Sequence, residues 1–254
     1  MTYRSDCDWV RWSTGVPPSV GHLCQEPAPG VLRSRWELSG SVLEYLGERW
    51  SQILYNAFQH ANLVFQAVIL ATAIALILAI IVVSVPRLEP VANAVSAIGL
   101  TIPSFALVGL LIPLTAIGTL TAFTCVAFYA VLPILRNAVV GLNGVDATLL
   151  ESARGMGMGR LGALVRVRIP LAWPVIHAGI RTSMQMSMGI AAIAAYVLGP
   201  GLGSYIFTGL SQVGGKNAVP AAVVGTVGIV IVALLADLVL LGIGRLTISK
   251  GIRA

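Results

Sequence analysis

The sequence predicts an all-α integral membrane protein with five transmembrane helices, at about residues 61–86, 90–112, 118–138, 170–198 and 218–244, and a short helix between the third and the fourth. Three observations predict this class. Only 10% of the 254 residues are charged, against about 25% in soluble domains. The mean hydropathy is +0.88. Long charge-free runs reach the roughly 20 residues that cross a bilayer. Twenty-six charged residues supply too little polar surface for a soluble globule of this size. A cytosolic enzyme, a secreted disulfide scaffold and a free nucleic-acid-binding domain are thereby excluded. The net charge of +6 reads instead as basic loops facing the cytoplasm.

Residues 1–40 have no helical periodicity, four of the thirteen prolines and no apolar stretch of signal-peptide type. They read either as an unstructured extracellular extension or as the product of a misplaced translation start. Cys7 and Cys24 lie here and pair only if the segment is extracellular. Cys125 reads as a small apolar residue within a span, and the three cysteines match no metal-ligand spacing. Residues 41–58 resemble an amphipathic lead-in helix at the outer surface, with Trp50 and Tyr55 at headgroup depth.

A transmembrane domain is expected over residues 59–245, followed by a tail at 246–254. Its first span is the charge-free run from Ala61 to Pro86. The next run, Pro90 to Leu135, has 46 residues and as one helix would measure about 69 Å against a hydrocarbon core of about 30 Å. It must cross twice, with the turn between Pro113 and Thr119. The fourth span starts at Pro170 and contains Arg181; the fifth ends near Ile243 and contains Asp237.

The stretch between the third and fourth spans holds Arg136, Arg154, Arg160, Arg166 and Arg168 against Asp146 and Glu151, which marks it as cytoplasmic. Alternation then puts Arg87 and the C-terminal tail inside and the N-terminus outside. The charge distribution agrees: residues 1–59 carry five arginines and six acidic residues, net −1, and the remainder is net +7.

That cytoplasmic stretch is the most informative part of the chain. Asp146 is placed to cap a helix, Leu149 and Leu150 give it an apolar face, and Gly155 with Gly157 end it. From the residues alone, such a helix is either a plain surface element or a docking element for a soluble partner. Gly157-Met-Gly-Arg-Leu-Gly162 matches a dinucleotide fingerprint in letters only, since no strand precedes it. Gly214-Gly215-Lys216-Asn217 lacks the hydroxyl of a phosphate-binding loop, so no ATP hydrolysis, cofactor or metal is expected in this chain.

The segment Glu151-Ser152-Ala153, then Gly157, then Val167, Ile169 and Pro170 resembles the signature of permease subunits of binding-protein-dependent ATP-binding-cassette importers. That signature reads Glu-Ala-Ala, three residues, Gly, nine residues, Ile, one residue, Leu-Pro. Ser152, Val167 and Ile169 are departures in identity, and the spacing is kept. The resemblance covers about residues 55–250 and narrows to the osmoprotectant branch (glycine betaine, carnitine, choline). It does so through Thr101-Ile-Pro-Ser-Phe105, Tyr129-Ala-Val-Leu-Pro133, Ala178-Gly-Ile-Arg-Thr182 and Gly199-Pro-Gly-Leu-Gly203. Leu100 departs from the usual Gln.

The resemblance implies a subunit in a bacterial plasma membrane that moves a compatible solute by alternating access. It would pair with a second permease copy or a paralogue, two ATP-binding cassette ATPases inside and an extracytoplasmic solute-binding protein outside, within membrane lipid and without nucleic acid. Asp146, Glu151, Ala153, Gly155, Gly157, Met158 and Pro170 are the residues expected to couple to the ATPase. The same machinery importing methionine, a sulfonate or a phosphonate is the alternative, and an ion-coupled secondary transporter lacks the ion ligands and repeat it would need.

Two further sets are expected from the residues. Arg181 and Asp237 both lie about 12 to 17 Å from the cytoplasmic end on helical geometry; they either pair across two spans or reach interior water separately. Phe105, Tyr129 and Tyr196 either line the translocation path, offering π faces to a quaternary ammonium, or pack in the core or against lipid. His177 is assigned no role.

Overall fold

The structure, a computed structural model, describes residues 35–248. Residues 1–34 of the extension, the pairing of Cys7 with Cys24 and most of the predicted tail lie outside the described residues, whereas residues 35–40, expected to be unstructured, are helical. The described residues from 42 onward form one compact unit, and among the described residues all regular structure is helical.

The long apolar run becomes helix α1, Arg35–Ser84, with one irregular residue, Arg49, at φ −121° and ψ 15°. The expected boundary near residue 58 is absent, and the lead-in and first span are continuous there. One side of α1 is a stripe of small residues, Ala67, Ala71, Ala75 and Ala79, all fully buried. Their regular four-residue spacing allows close helix approach where the bilayer gives no hydrophobic drive.

After a 3₁₀ turn at Pro86–Leu88 come α2, Glu89–Thr101, and α3, Ser104–Thr115. The sequence reading made these one span at 90–112. The two are bent by 97° at Ile102 and Pro103. The cause is local: the ring of Pro103 excludes the α region for the residue before it, and Ile102 sits at φ −65°, ψ 125°. Among the described residues four helices are long and apolar enough to cross a membrane, and this bent pair makes a fifth only when counted as one span. The next turn falls within the expected segment, at Ala116 (φ 62°) and Gly118 (φ 139°), although Pro113 itself stays inside α3.

Helix α4, Thr119–Asn143, is buried along most of its length and packs most extensively with α7, Ile169–Ala194. Gly179 is what lets them meet: a Cβ there would stand 2.5 Å from Asn137 Cβ. The Ser183 hydroxyl donates to the Ala130 carbonyl at 2.8 Å across this buried interface. Between them lie α5, Ala147–Gly155, a four-residue turn of helix α6, Arg160–Ala163, and a π turn at Leu164–Arg168. In the π turn the Ile169 N–H donates five residues back to Leu164 O. The wider turn directly precedes Pro170, which has no N–H to offer a regular helical ladder.

A second unpredicted element, α8, Gly203–Ser211, follows α7 and packs on the last helix, α9, Ala218–Thr247. Helix α9 buries one stripe, including Ala221, Gly225, Ile229, Ala236, Leu240 and Gly244. It exposes Val227, Val230, Ile231, Leu234 and Leu238 on its other side, as befits lipid or a second copy of the chain.

Candidate functional site

The segment from Asp146 to Pro170 is built from its caps inward. Asp146 Oδ1 accepts from the Thr148 N–H at 2.9 Å and from the Thr148 hydroxyl at 2.5 Å, satisfying a free donor at the start of α5. These bonds hold the Asp146 carboxyl below its ordinary range. At the other end Met158 N–H reaches back to Ala153 O at 3.1 Å, and Gly157 N–H to Arg154 O at 2.9 Å. This is the Schellman closure, with Gly157 at the left-handed position, φ +84°. The glycine at 157 is therefore required by backbone geometry, whatever it also contacts. Gly155 is different: it is helical, and a Cβ on it would meet nothing within 4 Å.

Of α5 only Ala153 is buried, at 1% exposure. Glu151, Gly155 and Gly157 are exposed, together with Leu149, Met156 and Leu161. Met158 is half-buried, and Pro170 lies in the first turn of α7. The result is a small apolar surface with one carboxylate and no side chain standing over its glycines.

This segment is fastened to the spans by residues that sequence reasoning did not single out. Arg168 Nε donates to Leu142 O at 2.8 Å and Nη2 to Asn143 Oδ1 at 3.2 Å, a cation on the last carbonyls of α4. Asn143 in turn donates to Glu89 Oε2 at 2.9 Å, at the start of α2. The sequence carried only a faint signal for this, a Glu–Pro pair at a helix start and an arginine beside Pro170.

Arg181 and Asp237 are brought together. Nε and Nη2 of Arg181 donate to Oδ1 and Oδ2 of Asp237, both at 2.9 Å, and the Gln185 amide adds a third bond at 3.1 Å. Gln185 lies one turn along α7 from Arg181. The network joins α7 to α9, and a Trp173 Nε1 to Thr247 Oγ1 bond of 2.9 Å does the same nearer the helix ends.

The three aromatic residues divide. Phe105 and Tyr196 touch, with ring centroids 5.6 Å apart, and both meet Phe207 of α8, at 6.2 and 5.4 Å. Phe105 and Tyr196 are largely exposed. Phe207 was missed because α8 was not foreseen. Tyr129 stands apart from this cluster, buried at 3% exposure, with its hydroxyl donating to Ile102 O at the break between α2 and α3. Its position answers the carbonyl that Pro103 leaves without a helical partner. Midway along α1, Gln59, Asn62 and Gln66, spaced for one helix face, line a cavity of about 490 Å³ with Phe123 and Pro200.

Broken and long apolar helices, a capped helix between spans and its tether to α4 define a membrane transport component. The chain belongs to the family of binding-protein-dependent transport system inner membrane components, whose model matches residues 71–247. Members are transport components rather than catalysts. The choline transport system permease protein OpuBB of Bacillus subtilis (strain 168) is 36% identical over 199 residues, covering 78% of this chain and 90% of that protein. The glycine betaine/carnitine/choline transport system permease protein OpuCB of the same organism is 37% identical over 215 residues, covering 84% and 96%. The osmoprotectant import permease protein OsmW of Salmonella typhimurium is 36% identical over 217 residues, covering 84% and 99%. A chain of the inward facing MetNI methionine ABC transporter shares the fold, with a TM-score of 0.69 at 21% identity, over 79% of this chain and 98% of that one.

Proposed function

We propose that the chain is the membrane-spanning permease subunit of an ATP-driven importer of quaternary-ammonium osmoprotectants such as glycine betaine, choline or carnitine. ATP hydrolysis belongs to separate ATPase subunits, and an extracytoplasmic binding protein delivers the solute. The permease acts as a pair, with a second copy or a paralogue, and its N-terminus lies outside and its C-terminus inside.

The observation that carries this reading is the exposed α5 surface at the family's own signature, joined by Arg168 to the end of α4. Leu149, Met156 and Leu161 give an ATPase an apolar seat, Glu151 a charged rim, and Gly155 a place for close backbone approach. Asp146 and Gly157 hold the ends of that helix, Ala153 anchors it, and Met158 and Pro170 lead it into α7. A displacement of α5 passes through Arg168 and Asn143 to α4 and α2, whose break at Ile102 and Pro103 is a ready hinge. Phe105 and Tyr196, with Phe207, form an aromatic surface suited to a passing trimethylammonium group.

The test is uptake of labelled glycine betaine at high osmolarity in cells lacking the gene. Uptake restored by the wild-type chain, and not by a Leu149→Asp/Met156→Asp variant that still inserts, is the expected result. Uptake unchanged by loss of the gene would move the cargo to another solute.

A further inference from the structure

Between the last turn of α1 and residues 150–168 lies a cavity of about 530 Å³, within the range of about 300 to 1,000 Å³ usual for ligand sites. Its walls are of two kinds. Ile80 and Val83 of α1 and Leu164 of the π turn are apolar, and Arg154, Arg160 and Arg168 bring three guanidinium groups.

Among the described residues these charges have no ion-pair counterpart. Among the described residues the ion pairs are Arg181 with Asp237 and Lys216 with Glu44, so no carboxylate stands within ion-pair distance of Arg154, Arg160 or Arg168. Arg168 spends two of its five donors on the end of α4. Arg154 and Arg160 make no side-chain hydrogen bond to the described residues. Three arginines lining one cavity call for an anion, and the apolar walls select which kind. Ile80 and Val83 belong to the most hydrophobic stretch of the chain, an 18-residue window of mean hydropathy 3.0 within residues Ser41–Ser84, so that wall is apolar enough to receive acyl chains. A soluble phosphate would satisfy the arginines and leave the apolar wall uncovered.

We propose that this cavity binds an anionic glycerophospholipid, its phosphate among Arg154, Arg160 and Arg168 and its acyl chains along Ile80 and Val83. The lipid ties α5 to the end of α1, so the membrane's anionic lipid becomes a structural part of the segment that receives the ATPase. The inference needs the chain to lie in a bilayer and does not depend on which solute it carries.

The test is native mass spectrometry of the complex of the full chain with its ATPase, extracted from membranes and washed in mixed micelles of phosphatidylglycerol and phosphatidylcholine. One retained phosphatidylglycerol per permease chain is expected. Near-surface arginines each contribute about five-fold to anionic lipid affinity, so Arg154→Gln with Arg160→Gln should lower retention about thirty-fold, and Arg160→Gln alone about five-fold. Arg160→Lys and Arg166→Gln should both stay near wild type, the latter because Arg166 does not line the cavity. Displacement of the lipid by an equal concentration of glycerol 3-phosphate would make this a soluble phosphate site and overturn the proposal. So would undiminished retention in the double variant, or loss of the ATPase from that variant with lipid unchanged, which would assign the arginines to protein docking.

Discussion

Removing either member of the Arg181–Asp237 pair should cost unequal amounts, and the inequality follows from their surroundings. Breaking a buried ion pair costs about 3 to 5 kcal/mol, and breaking an exposed one about 0 to 1 kcal/mol. The Arg181 side chain is 32% exposed and that of Asp237 16%, so the pair falls between these limits and the two orphans are not equivalent. Arg181→Met leaves a mostly buried carboxylate with one neutral donor, Gln185, and should cost about 3 kcal/mol. Asp237→Leu leaves an arginine with a long stem that can turn its head to water, and should cost about 1 kcal/mol. The double variant replaces the pair by apolar side chains and should also cost about 1 kcal/mol or less. The interaction energy from the cycle is then about −3 kcal/mol. Denaturation of the four proteins in mixed micelles, followed by far-UV circular dichroism, measures it. Additive losses, with the double variant down by about 4 kcal/mol, would refute the claim that the pair acts as a unit.

At Gly157 the positive φ separates backbone from contact effects. Asn tolerates that conformation and should preserve the α5 closure, whereas Val should cost about 1 to 2 kcal/mol locally, seen as faster amide exchange at Met156 to Met158. Tyr129→Phe removes the bond to Ile102 O and should lower stability by about 1 to 3 kcal/mol, read by thermal unfolding of the detergent-solubilised chain. Gly179→Ala puts a methyl 2.5 Å from Asn137 Cβ. It should cost about 1 to 3 kcal/mol in the same assay, and Asn137→Gly, which removes the opposing Cβ, should relieve part of the clash. The Asp146 cap is a depressed carboxyl, so its contribution is complete above the ordinary value of 3.8 and is lost as pH falls through the lower folded value. Amide exchange at Thr148, corrected for its intrinsic rate, should thus be flat between pH 6 and 8, and faster at all pH in Asp146→Ala.

How much of this was legible in the residues depends on which force sets each feature. Span positions follow from one-body physics, apolar length against bilayer thickness, and the runs from Ala61 and Val219 show it directly. The helix caps at Asp146 and Gly157 are local chemistry and read equally well. A kink at Pro103 is legible from the proline itself, but its size, a 97° break into two helices, is not, because a proline in a membrane helix is compatible with either a continuous or a broken span. Helix α8 is short and owes its form to packing on α9, where Gly209 would bring a Cβ within 2.5 Å of Ala218 O. Without α8, Phe207 could not be set beside Phe105 and Tyr196. Gln59, Asn62 and Gln66 were hidden by averaging, since three amides barely lower the hydropathy of so apolar a helix. The tether from Arg168 through Asn143 to Glu89 joins residues up to 79 positions apart in the chain, a contact only folding creates.

The most direct test of the central claim is solute uptake into proteoliposomes holding this chain with its ATPase, supplied with the binding protein on the side opposite to α5. The account predicts uptake of labelled glycine betaine that requires both ATP on the α5 side and the binding protein, and that survives collapse of the proton and sodium gradients. Uptake that ignores ATP and follows an ion gradient would contradict it.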